Sequence, residues 1–349
     1  MTARIVVDAM GGDNAPDAIV EGALMAAGGL GVEIILVGQR AAIEAEMDGA
    51  KAANIRIVDA ADVIEMEEHP TEAVKAKPNA SINVGLRMVK AKEADAFVTA
   101  GNTGASMAAA LLSLGRIKGI GRPALATVFP TGEGHLTMLL DVGANADCRP
   151  IHLLQFAHMG AAYMEKMFKV PSPRVGLISI GEEDSKGNQL TIEVNEALRK
   201  SRLNFIGNIE SKDLAHDSCD VAVMDGFTGN VLLKTAEGMA ELLLGEIRKA
   251  VELTPWNRAA GLVLFSELRK VKRRIDYTEY GGAQLVGVDG IVVIGHGRSN
   301  ARAVFSAIRA ARDAVESNVV ETLHEIAREI PARTTLIGSA APAVPDPED

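Results

Sequence analysis

The sequence predicts an α/β protein: a mostly parallel sheet with helices on both faces, a three-layer sandwich. Three observations carry that prediction. Short β-branched runs alternate with helix-period stretches along almost the whole chain. Six of these runs end in turns rich in glycine and asparagine. Of the 349 residues, 34 are glycine and only 3% are aromatic, a balance better suited to a turn-rich α/β chain than to an all-β sandwich.

In chain order, strands are read from RIVVDA, VEIILVG, IRIVDA, AFVTA, LTMLLDV, RVGLISI, VAVMD and GIVVIGH. Each is too short and too β-branched for a helix and is bounded by turn formers. Right-handed crossovers follow for the parallel pairs. The segment 131–140 has a second reading, antiparallel pairing with the preceding ALATVFPTGEGH. Pro16 suits the first turn of the helix after the first strand. Asn102 and Thr103 open the helix after AFVTA, and Arg298, Ser299 and Asn300 begin the last helical region, which extends from Ala301 to Ile330. No internal repeat or long linker divides the chain. Residues 1–330 therefore read as a single catalytic domain or two intimately packed lobes, and the aperiodic 331–349 as a disordered tail.

A net charge of −10 argues against a nucleic-acid binder, which needs a basic face to neutralise phosphates. The two cysteines, Cys148 and Cys219, have no zinc or redox spacing, so a reducing cytoplasm is the expected setting. No signal-peptide pattern is read, and no apolar run approaches the ~20 residues that span a bilayer. The chain lacks G-x-G-x-x-G, and in GHGRSN, Asn300 stands where its third glycine would be. P-loop, G-x-S-x-G and H-E-x-x-H patterns are absent too, as is a histidine followed five residues later by aspartate.

The turns DAMGGDNAP, TAGNTGAS, DVGAN, GEEDSKGN, MDGFTGN and GHGRSN each follow a strand, where ligands bind in open α/β sheets. All six are expected to converge on one crevice. Glycines there let backbone N–H groups approach an anion, and a following helix start adds partial positive charge. Phosphate is the leading ligand; the alternative is that glycine and asparagine only supply left-handed turns.

In this order, VDAMGGDNAP, TAGNTGA, DVGAN, GEEDSKGN, MDGFTGNV and VVIGHGRSN closely resemble the PlsX family of acyl-acyl-carrier-protein:phosphate acyltransferases, from about Arg4 to Ile330. The resemblance implies a Rossmann-like fold akin to the isocitrate and isopropylmalate dehydrogenases and phosphotransacetylase. It also implies a cytoplasmic homodimer in which inorganic phosphate displaces acyl carrier protein from a long-chain thioester. The acyl phosphate formed then serves a membrane-bound glycerol-3-phosphate acyltransferase in phospholipid synthesis. Neither a metal nor another cofactor is implied.

The residue types suit that chemistry. Phosphate is already anionic near neutral pH, and a thiol of pKa about 8.5 leaves without a strong acid. What remains is to hold an anion against an electrophile and to stabilise an oxyanion. Lys186 is the expected cation, or else a solvated turn lysine; Asn188 is an amide donor or a turn former; His296 protonates the leaving sulfur, donates to the oxyanion, or bonds to backbone. Gly11 and Gly12 expose N–H groups to phosphate. Asp8, Asp13 and Asn14 join the site, with helix capping as the other role for Asp13. Asn102 and Thr103 offer a helix N-terminus. Asp141, Asn145, Asp225 and Asn230 contact ligand or brace loops, and Ser299 and Asn300 form another anion nest.

Arg269, Lys270, Lys272, Arg273 and Arg274 form a basic cluster for docking the acidic acyl carrier protein, or a solvated helix face. Before it come Trp256 and the apolar run Leu262, Val263, Leu264 and Phe265, assigned to a membrane surface, a dimer partner or an acyl groove. Two competitors remain: an NAD- and metal-dependent decarboxylating dehydrogenase of the same fold group, and a non-catalytic scaffold, for which converging polar turns have no use.

Overall fold

The computed structural model describes residues 2–49, 52–131, 134–275 and 281–330; the expected tail, 331–349, lies outside the described residues. In the first part of the chain, β1 (Arg4–Asp8), β2 (Glu33–Gly38), β3 (Ile55–Asp59) and β4 (Ala96–Thr99) alternate with helices. Those are α1 (Asp17–Gly29), α2 (Arg40–Met47), α3 (Pro70–Ala76), α4 (Ser81–Lys90) and α5 (Thr103–Ser113). A hairpin, β5 (Ala124–Pro130) and β6 (Leu136–Leu140), leads into α6 (Pro150–Met167), β7 (Arg174–Ile178), α7 (Gln189–Arg199), β8 (Asn204–Ile209) and β9 (Val221–Val223). Two long helices follow, α8 (Gly226–Glu252) and α9 (Pro255–Ile275); then β10 (Ala283–Val286), β11 (Ile291–Ile294), α10 (Ala301–Glu316) and α11 (Val319–Glu329).

All these strands join one sheet in the order β3-β2-β1-β4-β11-β10-β5-β6-β9-β7-β8. Pairing is parallel except where β10 meets β11 and β5, and where β5 meets β6. Within the segment 131–140, Leu136–Leu140 thus takes the antiparallel reading. Side chains alternate between the two faces, as a twofold strand period requires. Val6 and Phe97 enter the core beneath α4 and α5, whereas Ile5, Val7, Ala96 and Val98 enter the core beneath α1 and α10. Farther along the sheet, Leu139 and Ala222 face the α8 side while Met138, Leu140, Val221 and Val223 pack beneath α6. Helices therefore cover both faces, and β1, β2 and β4 are buried almost end to end, as parallel strands between two layers must be. The last helical region is two helices, because Asn318 turns left-handed with φ +53° between them.

Because three successive pairings, β11–β10, β10–β5 and β5–β6, are antiparallel, the two halves of the sheet run oppositely. The register nevertheless brings their C-terminal ends to one level: Val7 lies opposite Val98, Val98 opposite Val293, Val293 opposite Gln284, and Gln284 opposite Ala126. Ala126 in turn faces Leu140, Leu140 faces Val223, and Val223 faces Leu177. Turns that leave strands more than a hundred residues apart in sequence start from one row.

Candidate active site

Above β5 and β10 the row opens into a cleft of about 710 Å³. Five of the six expected turns line it: Asp13 after β1, Thr103 and Gly104 after β4, Val142 to Ala144 after β6, Gly226, Phe227 and Asn230 after β9, and Gly295 to Arg298 after β11. The sixth, GEEDSKGN after β7, does not, which corrects the expectation of full convergence. That turn is tied outward, toward the sheet edge. Ser179 Oγ donates to Lys186 O at 3.0 Å, Asn208 Nδ2 donates to Glu183 O at 2.9 Å, and Asp184 is ion-paired with Arg199. Lys186 is exposed, and its ammonium has no partner among the described residues. Asn188 caps α7, accepting from Thr191 N at 3.0 Å.

Two helices begin at the cleft. The first-turn amides of Thr103 and Gly104 on α5, and of Phe227 on α8, have no acceptor within their own helix and carry the positive end of its dipole. The amide of Gly226 is occupied by Asn145 O at 2.8 Å. These termini are fixed by side chains that were expected to touch ligand. Asn102 Oδ1 accepts from Ala105 N at 3.0 Å while its Nδ2 donates to Met66 O at 2.9 Å, so its amide is committed to the fold. Asp225 accepts from Thr228 N and Oγ1, and Asn300 from Ala303 N. Asn14 Nδ2 donates to Ser299 O at 3.2 Å, and Ser299 Oγ donates to His296 O at 2.6 Å. Asp13 does not cap α1, whose N-cap is Pro16 without a side-chain bond; its carboxylate borders the cleft instead.

Two buried aspartates tie the turns together. Asp8 is fully buried; its carboxylate accepts from Thr99 Oγ1 at 2.7 Å and Met10 N at 3.1 Å, and Thr99 Oγ1 accepts in turn from Gly101 N. It locks the turns of β1 and β4 together. They touch so closely that a Cβ on Gly11 would sit 2.6 Å from Asp8 Oδ2 and 2.7 Å from Gly101 N. Asp141 does the same across the cleft, accepting from the amides of Leu125, Gly143, Ala144 and Asn145 and from Asn145 Nδ2. Burial pushes both carboxyls above the usual range, against the pull of their donors. The amides of Gly143, Ala144 and Asn145 are therefore spent inside their own turn, and those of Asp141 and Val142 on Met224 O and Leu125 O, so DVGAN forms no anion nest.

Polar side chains of the cleft remain to act, among them Asn230 and His296. Asn230, exposed on α8, has no hydrogen-bond partner among the described residues and lines the cleft beside Gly143. His296 Nδ1 accepts from Arg298 N at 3.1 Å, so in its neutral form the ring carries its proton on Nε2 and is a donor. Cys148 lies behind the Asp141 turn, its thiol pushed up to about 12 by burial and by the neighbouring Asp141 charge, which favours the protonated form. Sequence reading missed Lys234, Leu233 and Glu237, which line the cleft from the face of α8 that carries Gly226 and Asn230. Their helical spacing from Gly226 was the available signal. Met66 and Met107 were missed as well, and complete an apolar wall with Leu125 and Val142.

Helix α9 packs back on α8. Arg269, Lys270 and Lys272 are exposed on α9, with the Arg269 guanidinium 5.4 Å from the Phe265 ring and Lys270 Nζ 2.8 Å from Glu267. The side chains of Arg273 and Arg274 lie outside the described residues. Trp256 is 85% exposed and Leu262 to Phe265 between 52% and 81%. Among the described residues no helix is long and apolar enough to cross a membrane.

With this geometry, four likenesses can be weighed. The family model described as fatty acid synthesis protein matches residues 3–322. A phosphate acyltransferase of Desulfitobacterium hafniense is 50% identical over 333 residues, covering 95% of this chain and 98% of that protein. One from Thermosynechococcus vestitus is 50% identical over 325 residues, covering 92% and 94%. A phosphotransacetylase from Streptococcus pyogenes superposes with a TM-score of 0.60 at 18% identity, covering 92% of this chain and 94% of its own, a likeness of fold.

Proposed function

This chain belongs to the fatty acid synthesis protein family, the PlsX family of phosphate acyltransferases, and from that premise we propose that it transfers a long-chain acyl group from acyl-acyl carrier protein to inorganic phosphate, making acyl phosphate for phospholipid synthesis. The observation that carries the reading is the cleft itself. Two helix N-termini open into it beside the Asn230 amide and the Nε2–H donor of His296, and an apolar wall of Met66, Met107, Leu125 and Val142 lies alongside. Phosphate rests on the α5 and α8 amides, where charge and N–H geometry favour an anion. Asn230 and His296 donate to the oxyanion that forms when a phosphate oxygen attacks the thioester carbon, and His296 protonates the departing sulfur. Asp8 and Asp141 hold the turns in place. Lys186 adds positive charge from the neighbouring strand end. The catalytic unit is residues 1–330.

The test is acyl phosphate trapped as hydroxamate by hydroxylamine, with each component omitted in turn. Product is expected only when acyl-acyl carrier protein and phosphate are both present, without NAD or added metal. Strict NAD dependence, as a decarboxylating dehydrogenase would show, sinks the proposal.

The exposed cations of α9 dock acyl carrier protein, and the α8–α9 hairpin, doubled in a homodimer, brings the enzyme to the membrane that houses the glycerol-3-phosphate acyltransferase consuming its product. Each methylene withdrawn from water contributes about 0.8 kcal/mol, so a few large side chains make binding reversible rather than permanent. We expect the protein to bind anionic liposomes, less at high salt, and a Leu264→Glu, Phe265→Glu variant to lose that binding while remaining dimeric and active on soluble substrate. If the variant binds normally, the segment is no anchor; if it dissociates into monomers, the segment is a dimer interface.

A further inference from the structure

Helix α8 carries a charged pair into the cleft that none of the roles above uses. Lys234 Nζ lies 2.8 Å from Glu237 Oε2, and both residues line the wall; the Lys234 side chain is half exposed, that of Glu237 only 13%. A carboxylate so sheltered needs its cation, which explains why the pair exists but not why it stands in a substrate cleft. Lys234 is on the same helical face as Gly226 and Asn230, and at 1.5 Å per residue it lies ~12 Å along the axis from the amides that open α8. Its ammonium leans toward Glu237, one turn farther still. The pair is thus remote from the anion locus, at the other end of the same wall.

Its chemistry narrows what it can hold. Neutral overall, it attracts a bare anion poorly. Of the three ammonium donors one is given to Glu237, leaving two, while the second carboxylate oxygen remains an acceptor. Donors and an acceptor side by side complement a secondary amide, which offers one C=O and one N–H. An acyl chain placed there would strip water from both charges and return no hydrogen bond. A thioester whose carbonyl meets phosphate at the helix N-termini has two chains to accommodate, an apolar acyl tail and a polar pantetheine arm with amides along its length. The Met66 and Met107 wall suits the first; the α8 face suits the second.

We propose that the Lys234–Glu237 pair binds the distal amide of the pantetheine arm and so makes the enzyme selective for pantetheine-linked thioesters over truncated ones. This rests on the acyl carrier reading above. The experiment compares acyl-pantetheine with the acyl thioester of N-acetylcysteamine, which has the proximal amide but ends short of Lys234. In Lys234→Gln, the ratio of kcat/KM for acyl-pantetheine to that for the truncated thioester should fall at least tenfold. KM for phosphate should move less than twofold, and Lys234→Arg should recover most of the ratio. Calorimetric titration with an S-alkyl pantetheine thioether, which requires no turnover, should show at least tenfold weaker binding to Lys234→Gln than to the unmodified enzyme. An unchanged ratio with unchanged thioether binding overturns the proposal, as does a KM for phosphate that rises in step with the loss, which would put Lys234 at the anion. Failure of the unmodified enzyme to form acyl phosphate from acyl-acyl carrier protein would instead refute the underlying reading.

Discussion

Gly229→Ala is expected to destabilise the protein by about 3 kcal/mol or more, the upper range for overpacking a tight interior, and to abolish measurable activity. Intrinsic helix propensity predicts the opposite sign, a gain of about 1 kcal/mol for alanine over glycine inside α8. The tertiary contact overrides it. A Cβ on Gly229 would lie 1.9 Å from Asp141 O and 2.9 Å from Asp141 C, both backbone atoms. They cannot retreat, because Asp141 N donates to Met224 O, Val142 N donates to Leu125 O, and the Asp141 carboxylate is held by five N–H groups. Helix α8 would have to lift, taking Asn230 and the first-turn amide of Phe227 away from the cleft. Gly238, on the same helix with nothing within 4 Å of where a Cβ would stand, is the control: Gly238→Ala should stabilise by up to about 1 kcal/mol. Urea denaturation of both variants decides the matter, and equal stability for the two would mean that α8 is not seated on Asp141.

Lys186→Ala should lower turnover roughly a hundredfold, the scale of losing one electrostatic donor in a preorganised site, and leave the denaturation midpoint nearly unchanged. The second half of the expectation follows from exposure and from the absence of any partner for its ammonium among the described residues. The first half is the stronger claim, since Lys186 does not line the cleft. Strand β7 pairs with β9, Leu177 opposite Val223, so the GEEDSKGN turn starts one strand spacing, about 4.8 Å, from the turn that opens α8. A cation there adds to the positive field of that helix terminus without forming part of the wall. Unmodified turnover in the variant at saturating phosphate makes Lys186 an ordinary solvated lysine.

Much of the site's vocabulary was legible in the sequence. GNT and RSN read as helix starts, and Asn102 and Asn300 do cap them, since a cap reaches only three residues along the chain. What the site asparagines do with their remaining groups was not legible. The Nδ2 of Asn102 goes to Met66 and that of Asn145 to Pro123, partners 36 and 22 residues away. Two strands were also missed. In β8, at the sheet edge, Asn204 and Asn208 interrupt the apolar run, and β10 is only four residues long. Neither carries enough local pattern to stand out from a loop.

Taken alone, the sequence determined the α/β class, the helix starts and the turns at strand ends, because propensity, side-chain period and capping act within a few residues of one another. Which turns meet was decided by the tertiary structure. Three antiparallel pairings in succession, β11–β10, β10–β5 and β5–β6, and a register carried strand to strand from Val7 to Leu177, bring five turns to one cleft and leave the sixth beside it. The same packing commits the Asn102 amide to Met66 and brings Lys234 to the cleft wall. Strand order and register arise from burying whole faces against partners distant in the chain, and no local window of residues contains that information.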